Sequence, residues 1–329
     1  MNKKNLILLV VNILLLNLNI FGYLHLQHKK QEVAQPPREM LTSPHTPIQQ
    51  QPQPPPPVEP SETKPNITFT VPNGDMRFQE ICQQLVKWNQ EAPQITEIGV
   101  VGKSQSGTDI PFIRIGKKTG PKLMIHACIH GNEHLCCSVS MGCIGKLLSN
   151  YMVDEEVTKL IRERDLYYVP VVCPESYMKN SRHDMGKDPN RNFSGPNLQE
   201  IQSIPCIDAI KKFHLQHKFK SVMSCHNHGR IYFIPWGYVQ KQTDSHAEYK
   251  RILSAMGQSS GYTYQQLLRQ SAPPYYGYEA DWYYHHGALS MVNEIGRGMA
   301  ASPAETRSET DTNYPAFKIW IRESPLVRK

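Results

Sequence analysis

Four compact apolar runs constrain this chain more than any other feature. They are Lys122–Ile129, Leu166–Val172, Val222–Cys225 and Leu289–Val292. Each is nearly continuous rather than alternating, the pattern of strands covered on both faces. Helical patterns occur before and between them: Phe78, Ile81, Leu85 and Trp88, then Leu135, Val139, Ile144, Leu147 and Leu148, then Ile207, Ile210 and Phe213. Residues three and four apart share one helix face, so each stretch can lay an apolar stripe on a sheet. Buried strands alternating with such helices predict an α/β fold, a three-layer α/β/α sandwich with a mixed, mostly parallel central sheet. Pro170 lacks an N–H and limits pairing at the end of the second run. Gly74-Asp75 offers a cap for the first helix.

The N-terminal part reads differently. Lys3 and Lys4 precede an apolar stretch that starts at Asn5-Leu6-Ile7 and runs to Leu26, where Lys29-Lys30 ends it. About 20 such residues can span a bilayer as a helix. A small-x-small cleavage pattern is lacking near its end, which favours an uncleaved signal-anchor over a removed signal peptide. Asn5, Asn12, Asn17 and Asn19 lower its hydrophobicity and keep the cleaved alternative open. Residues 31–65 are dominated by proline and glutamine, with Gln49-Gln50-Gln51-Pro52-Gln53-Pro54-Pro55-Pro56-Pro57 at the extreme. Proline removes a donor and glutamine offers no apolar face, so this stretch is expected to be an extended, disordered linker. The folded domain is expected from residue 66 to 329. It would lie on the extracytoplasmic side of a membrane, or be secreted or periplasmic if the first 30 residues are removed.

The net charge of +7 is spread along the chain. Without a Lys/Arg block or an interleaved aromatic-basic stripe, a nucleic-acid partner is not expected. The eight cysteines permit disulfides without showing them. None lies in a CxxC pair, which argues against a cysteine-type structural zinc site. Several fall in apolar runs, and most are expected to act as small hydrophobes rather than as ligands.

Chemistry gathers at the ends of the apolar runs. His130-Gly131-Asn132-Glu133 follows the first run and precedes a helical pattern. A histidine and a glutamate three apart at such a turn can reach one cation, and zinc accepts imidazole nitrogen and carboxylate oxygen together. His134 opens a second reading, the HxxEH zinc motif, which requires His130 to lie inside a helix. His226 ends the third run and is a candidate third ligand; His228, two residues on, competes for that role. Strand ends on one edge of a sheet converge, which is where α/β sites form.

These motifs together resemble the zinc metallocarboxypeptidase family over about residues 75 to 325. The resemblance rests on His130-x-x-Glu133, on Asp188-Pro189-Asn190-Arg191-Asn192-Phe193, on His226 nine residues before Pro235-Trp236-Gly237-Tyr238, and on Asp281-Trp282 followed by Leu289–Glu294. It implies one zinc ion per domain held by His130, Glu133 and His226, with Asp188 fixing the first imidazole. It implies Glu294 as general base, Asn190 and Arg191 as the grip on a substrate's terminal carboxylate, Arg182 (or Lys179) on the oxyanion, and Tyr276 (or Tyr275) as a capping tyrosine. Ala280 falls near the side-chain specificity position, with Glu279 beside it. The implied activity is removal of C-terminal residues from peptides or peptide-like substrates with a free carboxylate. Cell-wall peptide amidohydrolase, N-acyl amino acid acylase and inactive membrane-tethered binding module are the competing functions.

Overall fold

The structure, a computed structural model, describes residues 64–194, 204–268, 276–299 and 301–326. The expected membrane segment, and the linker up to residue 63, lie outside these residues. No helix among the described residues is long and apolar enough to cross a membrane.

The elements in chain order are α1 (Phe78–Glu91), β1 (Thr96–Lys103), β2 (Asp109–Gly116), β3 (Lys122–Ala127), α2 (His134–Ser149), α3 (Glu155–Glu163), β4 (Asp165–Val169), α4 (Pro174–Met178), α5 (Pro205–His217), β5 (Ser221–His226), β6 (Ile231–Ile234), α6 (His246–Ser260), β7 (Thr263–Gln266), α7 (Glu279–His285), β8 (Leu289–Glu294) and α8 (Pro303–Glu323). The strands form one sheet in the order β1-β2-β4-β3-β5-β8-β6-β7. Its centre is the four predicted runs, β4, β3, β5 and β8, all parallel to one another. Antiparallel pairing adds β2 and β1 at one side and β6 at the other, and β7 closes that edge parallel to β6. The expected mixed sheet is therefore present, with its parallel part in the middle.

Alternation along the central strands sorts the core into two layers. Leu123, Ile125, Met223 and Cys225 face one side, with Ile81, Leu85, Val139, Ile144, Phe317 and Trp320 from α1, α2 and α8. Met124 and Val222 face the other, with Ile207, Ile210 and Phe213 of α5 and Trp282 of α7. Each such side chain contributes about 1.5–3 kcal/mol by leaving water. Pro170 falls just past β4, where no ladder bond is lost. The first helix starts later than Gly74-Asp75 suggests. It begins at Phe78, and the Glu80 carboxylate accepts the Arg77 backbone N–H at 2.9 Å, so the cap comes from inside the first turn.

Candidate metal centre and active site

Because β3, β5 and β8 are parallel, their carboxyl ends lie together. His130 follows β3, His226 is the last residue of β5, and Glu294 is the last residue of β8, paired in register with His226. The turn after β3 is held tightly. Cys128 takes a left-handed φ of 51°. A Cβ on Gly131 would lie 2.0 Å from the Ser176 carbonyl carbon, so the backbone of α4 tolerates only glycine there. Gly131 is needed for this close approach and not for a positive φ.

Helix α2 begins at His134, so His130 lies in the turn ahead of it and the HxxEH reading fails. The His134 ring stacks on Tyr177, with centroids 4.2 Å apart. Glu133 bridges the two remaining histidines. Its Oε1 is 2.8 Å from His130 Nδ1 and its Oε2 is 2.9 Å from His226 Nδ1. All three side chains are buried, and one donor atom from each lies within 4.8 Å of the others. His228 is exposed and takes no part.

The outer nitrogen of each ring meets a carboxylate. His130 Nε2 is 2.8 Å from Asp188 Oδ1, and His226 Nε2 is 2.5 Å from Glu279 Oε1. A carboxylate on Nε2 keeps that nitrogen as the N–H of the neutral ring, so Nδ1, which faces Glu133 here, is the atom each ring would offer to a metal. Asp188 also accepts from the Asn190 backbone N–H at 2.9 Å and from Arg182 Nη2 at 2.9 Å. Arg182 Nη1 reaches Glu133 Oε1 at 3.4 Å. Lys179, the alternative to Arg182, is exposed. Arg191 donates from Nη1 to the Asn190 carbonyl at 2.7 Å. Gly277, at φ +70°, packs its backbone against the Arg191 carbonyl, and its own carbonyl accepts the Phe193 N–H at 3.1 Å. The Asn190–Arg191 turn is thus pinned from behind. Tyr276 is 50% exposed, and no hydrogen bond ties it to the centre among the described residues. Tyr275 lies outside them.

Sequence reasoning set Glu279 only beside the specificity position and missed its role as a partner of His226. Its fully buried carboxylate accepts from Ser224 Oγ at 2.9 Å and Asn190 Nδ2 at 3.1 Å as well as meeting His226, while its backbone N–H donates to Asn190 Oδ1 at 2.9 Å. It thereby couples the histidine at the end of β5 to the Asn190 side chain. His126 of β3 lies behind it, Nε2 to Oε2 3.4 Å, and burial lowers that imidazole to about 4, so it stays neutral. Ala280, the next residue, joins a small apolar cluster with Tyr278 and Val292. Acidic residues are common in the first turn of any helix, so Glu279 at the start of α7 carried no signal of its inward direction. Its proximity to Asp281-Trp282 was the one available hint.

Charge follows from this packing. Burial would raise Glu133, but His226 and His130 outweigh it and hold the carboxyl at about 2. Burial would lower His226, but Glu133 and Glu279 raise it well above the usual imidazole range. Burial pushes Asp188 up, yet the His130 hydrogen bond and the charges of His130 and Arg182 draw it below its ordinary value. Glu294 responds mainly to burial and rises to about 7. The centre thus gathers buried carboxylates around a position that calls for positive charge. Two imidazole nitrogens and a carboxylate, each ring oriented from outside, form a donor set that fits zinc.

The Glu279 arrangement makes a checkable prediction. Glu279→Gln keeps the volume but removes the negative acceptor on His226, and zinc affinity measured by chelator competition falls roughly 10–100-fold with the circular dichroism spectrum retained. An unchanged affinity would reduce Glu279 to a packing residue.

Fold and cluster define an α/β protein with a candidate metal centre at the carboxyl edge of its parallel strands. The chain belongs to the zinc carboxypeptidase family, whose sequence model matches residues 81–314. It is 26% identical over 198 residues to metallocarboxypeptidase A of Trichophyton tonsurans, covering 46% of this chain and 46% of that one. It is 22% identical to mouse (Mus musculus) carboxypeptidase A4, covering 54% and 51%. The chain spans about half the length of these two relatives. Among solved structures it shares the fold of thrombin activatable fibrinolysis inhibitor, TM-score 0.69 at 19% identity, covering 76% of this chain and 77% of that one. It likewise shares that of carboxypeptidase A from Helicoverpa armigera, TM-score 0.67 at 17% identity, covering 76% and 74%.

Proposed function

We propose that this chain is a zinc-dependent carboxypeptidase that removes single residues from the C-terminus of peptides. The observation that carries this reading is the meeting of His130, Glu133 and His226 at strand ends that also carry Glu294, with Asn190 tied into the same hydrogen-bond network. His130, Glu133 and His226 would hold the ion. When bound, zinc supplies Lewis acidity, lowering the pKa of a water and polarising a carbonyl.

The chain's own residues supply the rest. Arg191, planar and permanently charged, holds the substrate's terminal carboxylate with Asn190 beside it. Glu294 takes a proton from the water as its oxygen adds to the scissile carbonyl carbon, then returns that proton to the departing amine. Arg182 donates toward the developing oxyanion. Its anchorage on Asp188 and its reach to Glu133 support that role. Asp188 and Glu279 hold the two imidazoles at their working angle. Tyr276, exposed beside the Gly277 turn, closes over the bound residue. The apolar stretch within residues 1–30 tethers the enzyme to a membrane.

The test is digestion of a mixed peptide set by the full chain, metal-stripped and zinc-restored, with products read by mass spectrometry. Stepwise loss of C-terminal residues in the zinc-restored sample alone is the expected result. Folded, zinc-loaded protein that trims nothing would remove the reading.

A further inference from the structure

A second buried cluster, sharing an apolar layer with Phe193, is not used by the proposed chemistry. Cys173, Asp184 and Cys206 are all buried, with donor atoms within 4.8 Å of one another. Cys173 immediately precedes α4, and its backbone N–H donates to the Cys128 carbonyl at 3.2 Å, at the turn that carries His130. Cys206 sits in the first turn of α5. The two sulphur atoms are 2.8 Å apart. Non-bonded heavy atoms settle at about 3.5–4 Å, and two sulphurs each about 2.3 Å from one tetrahedral ion stand roughly 3.7 Å apart. Both are free thiols in the structure, closer than resting thiols or two metal ligands sit and short of the roughly 2.05 Å of a formed bond. Apart from Asp184 the pair's neighbours are apolar, Ile129, Val172, Phe193 and Ile204 among them, which suits an uncharged linkage.

We propose that Cys173 and Cys206 form a disulfide that closes the segment carrying Arg182, Asp188, Asn190 and Arg191. Cys206 donates its S–H to Asp184 Oδ2 at 3.7 Å, so a proton acceptor is already in place. Oxidation needs a disulfide partner such as oxidised glutathione. The Cys206 thiolate attacks one glutathione sulphur and releases the other as a thiol. The Cys173 thiolate then displaces the second glutathione. The cysteine pair loses two electrons and two protons, and one glutathione disulfide becomes two thiols. Both sulphurs are inaccessible in the closed fold, so the bond forms during folding and afterwards resists reduction. Its function is to fix the carboxylate-gripping turn against α5 and the His130 turn, which extends beyond the reaction proposed above and does not depend on it.

The test uses the full chain refolded in a mixture of reduced and oxidised glutathione, alkylated under denaturing conditions and digested without reductant. Mass spectrometry is expected to find one cross-linked peptide joining Cys173 to Cys206, with both alkylated only after reduction. Reducing the chain while it is denatured and refolding it in reductant lowers Tm by roughly 5–10 °C. Cys173→Ala, Cys206→Ala and the double variant all show that same loss and no longer respond to reductant. Alkylation of both cysteines without reductant overturns the proposal. So does a cross-link elsewhere, for example between Cys128 and Cys136, whose sulphurs are 3.9 Å apart, or a second zinc equivalent released when both thiols are alkylated.

Discussion

Glu294→Gln lowers kcat by about 10²–10⁴ while zinc content and KM for peptide stay near wild type. Glutamine keeps the shape of the side chain at the end of β8 and removes only its ability to accept a proton. The residue neighbours His226 in register across β5 and β8, so it belongs to the same strand-end constellation as the three metal-binding candidates. Burial raises its carboxyl to about 7. A base works only when ionised, so activity declines as pH falls through that pKa and Glu294 takes up a proton. A bound dication favours the ionised form, which puts the acid limb of kcat/KM at or below pH 7. A variant that retains full kcat would place the base elsewhere.

Arg191→Ala has the second large effect. Losing a bidentate, charge-assisted contact with a carboxylate costs on the order of 3 kcal/mol, or roughly 100-fold in kcat/KM. The loss is expected in KM for peptides with a free C-terminus. The turn itself is held by the hydrogen bond between Phe193 and Gly277 and by the Asn190–Glu279 contacts, so the variant keeps its fold. Arg191→Lys restores only part of the loss, because a lysine ammonium is a point charge without the planar fork. Equal KM values for wild type and Arg191→Ala would assign the carboxylate to another cation.

Continuous patterns are what made the fold and part of the site legible in the sequence. The four apolar runs became the four adjacent parallel strands, because a strand buried on both faces admits little else. His130, Glu133 and His226 were legible because each sits where such a run stops. The edge strands were not. Thr96–Lys103 carries Glu97 and Lys103 and is largely exposed, so no apolar face announces it. Glu279 was hidden for a different reason: a carboxylate in a helix's first turn usually faces water, and only the fold turns this one onto His226 and Asn190. The Cys173–Cys206 contact joins positions 33 residues apart through the packing of α5, which no local spacing encodes.

The most direct single measurement is hydrolysis of one short peptide offered to the zinc-restored protein in three forms: as its free acid, as its C-terminal amide, and as the N-acylated last residue alone. The account predicts release of the last residue from the free acid, with the amide and the acyl amino acid cleaved at least about 100-fold more slowly. Equal cleavage of acid and amide, or turnover of the acyl amino acid alone, would contradict it.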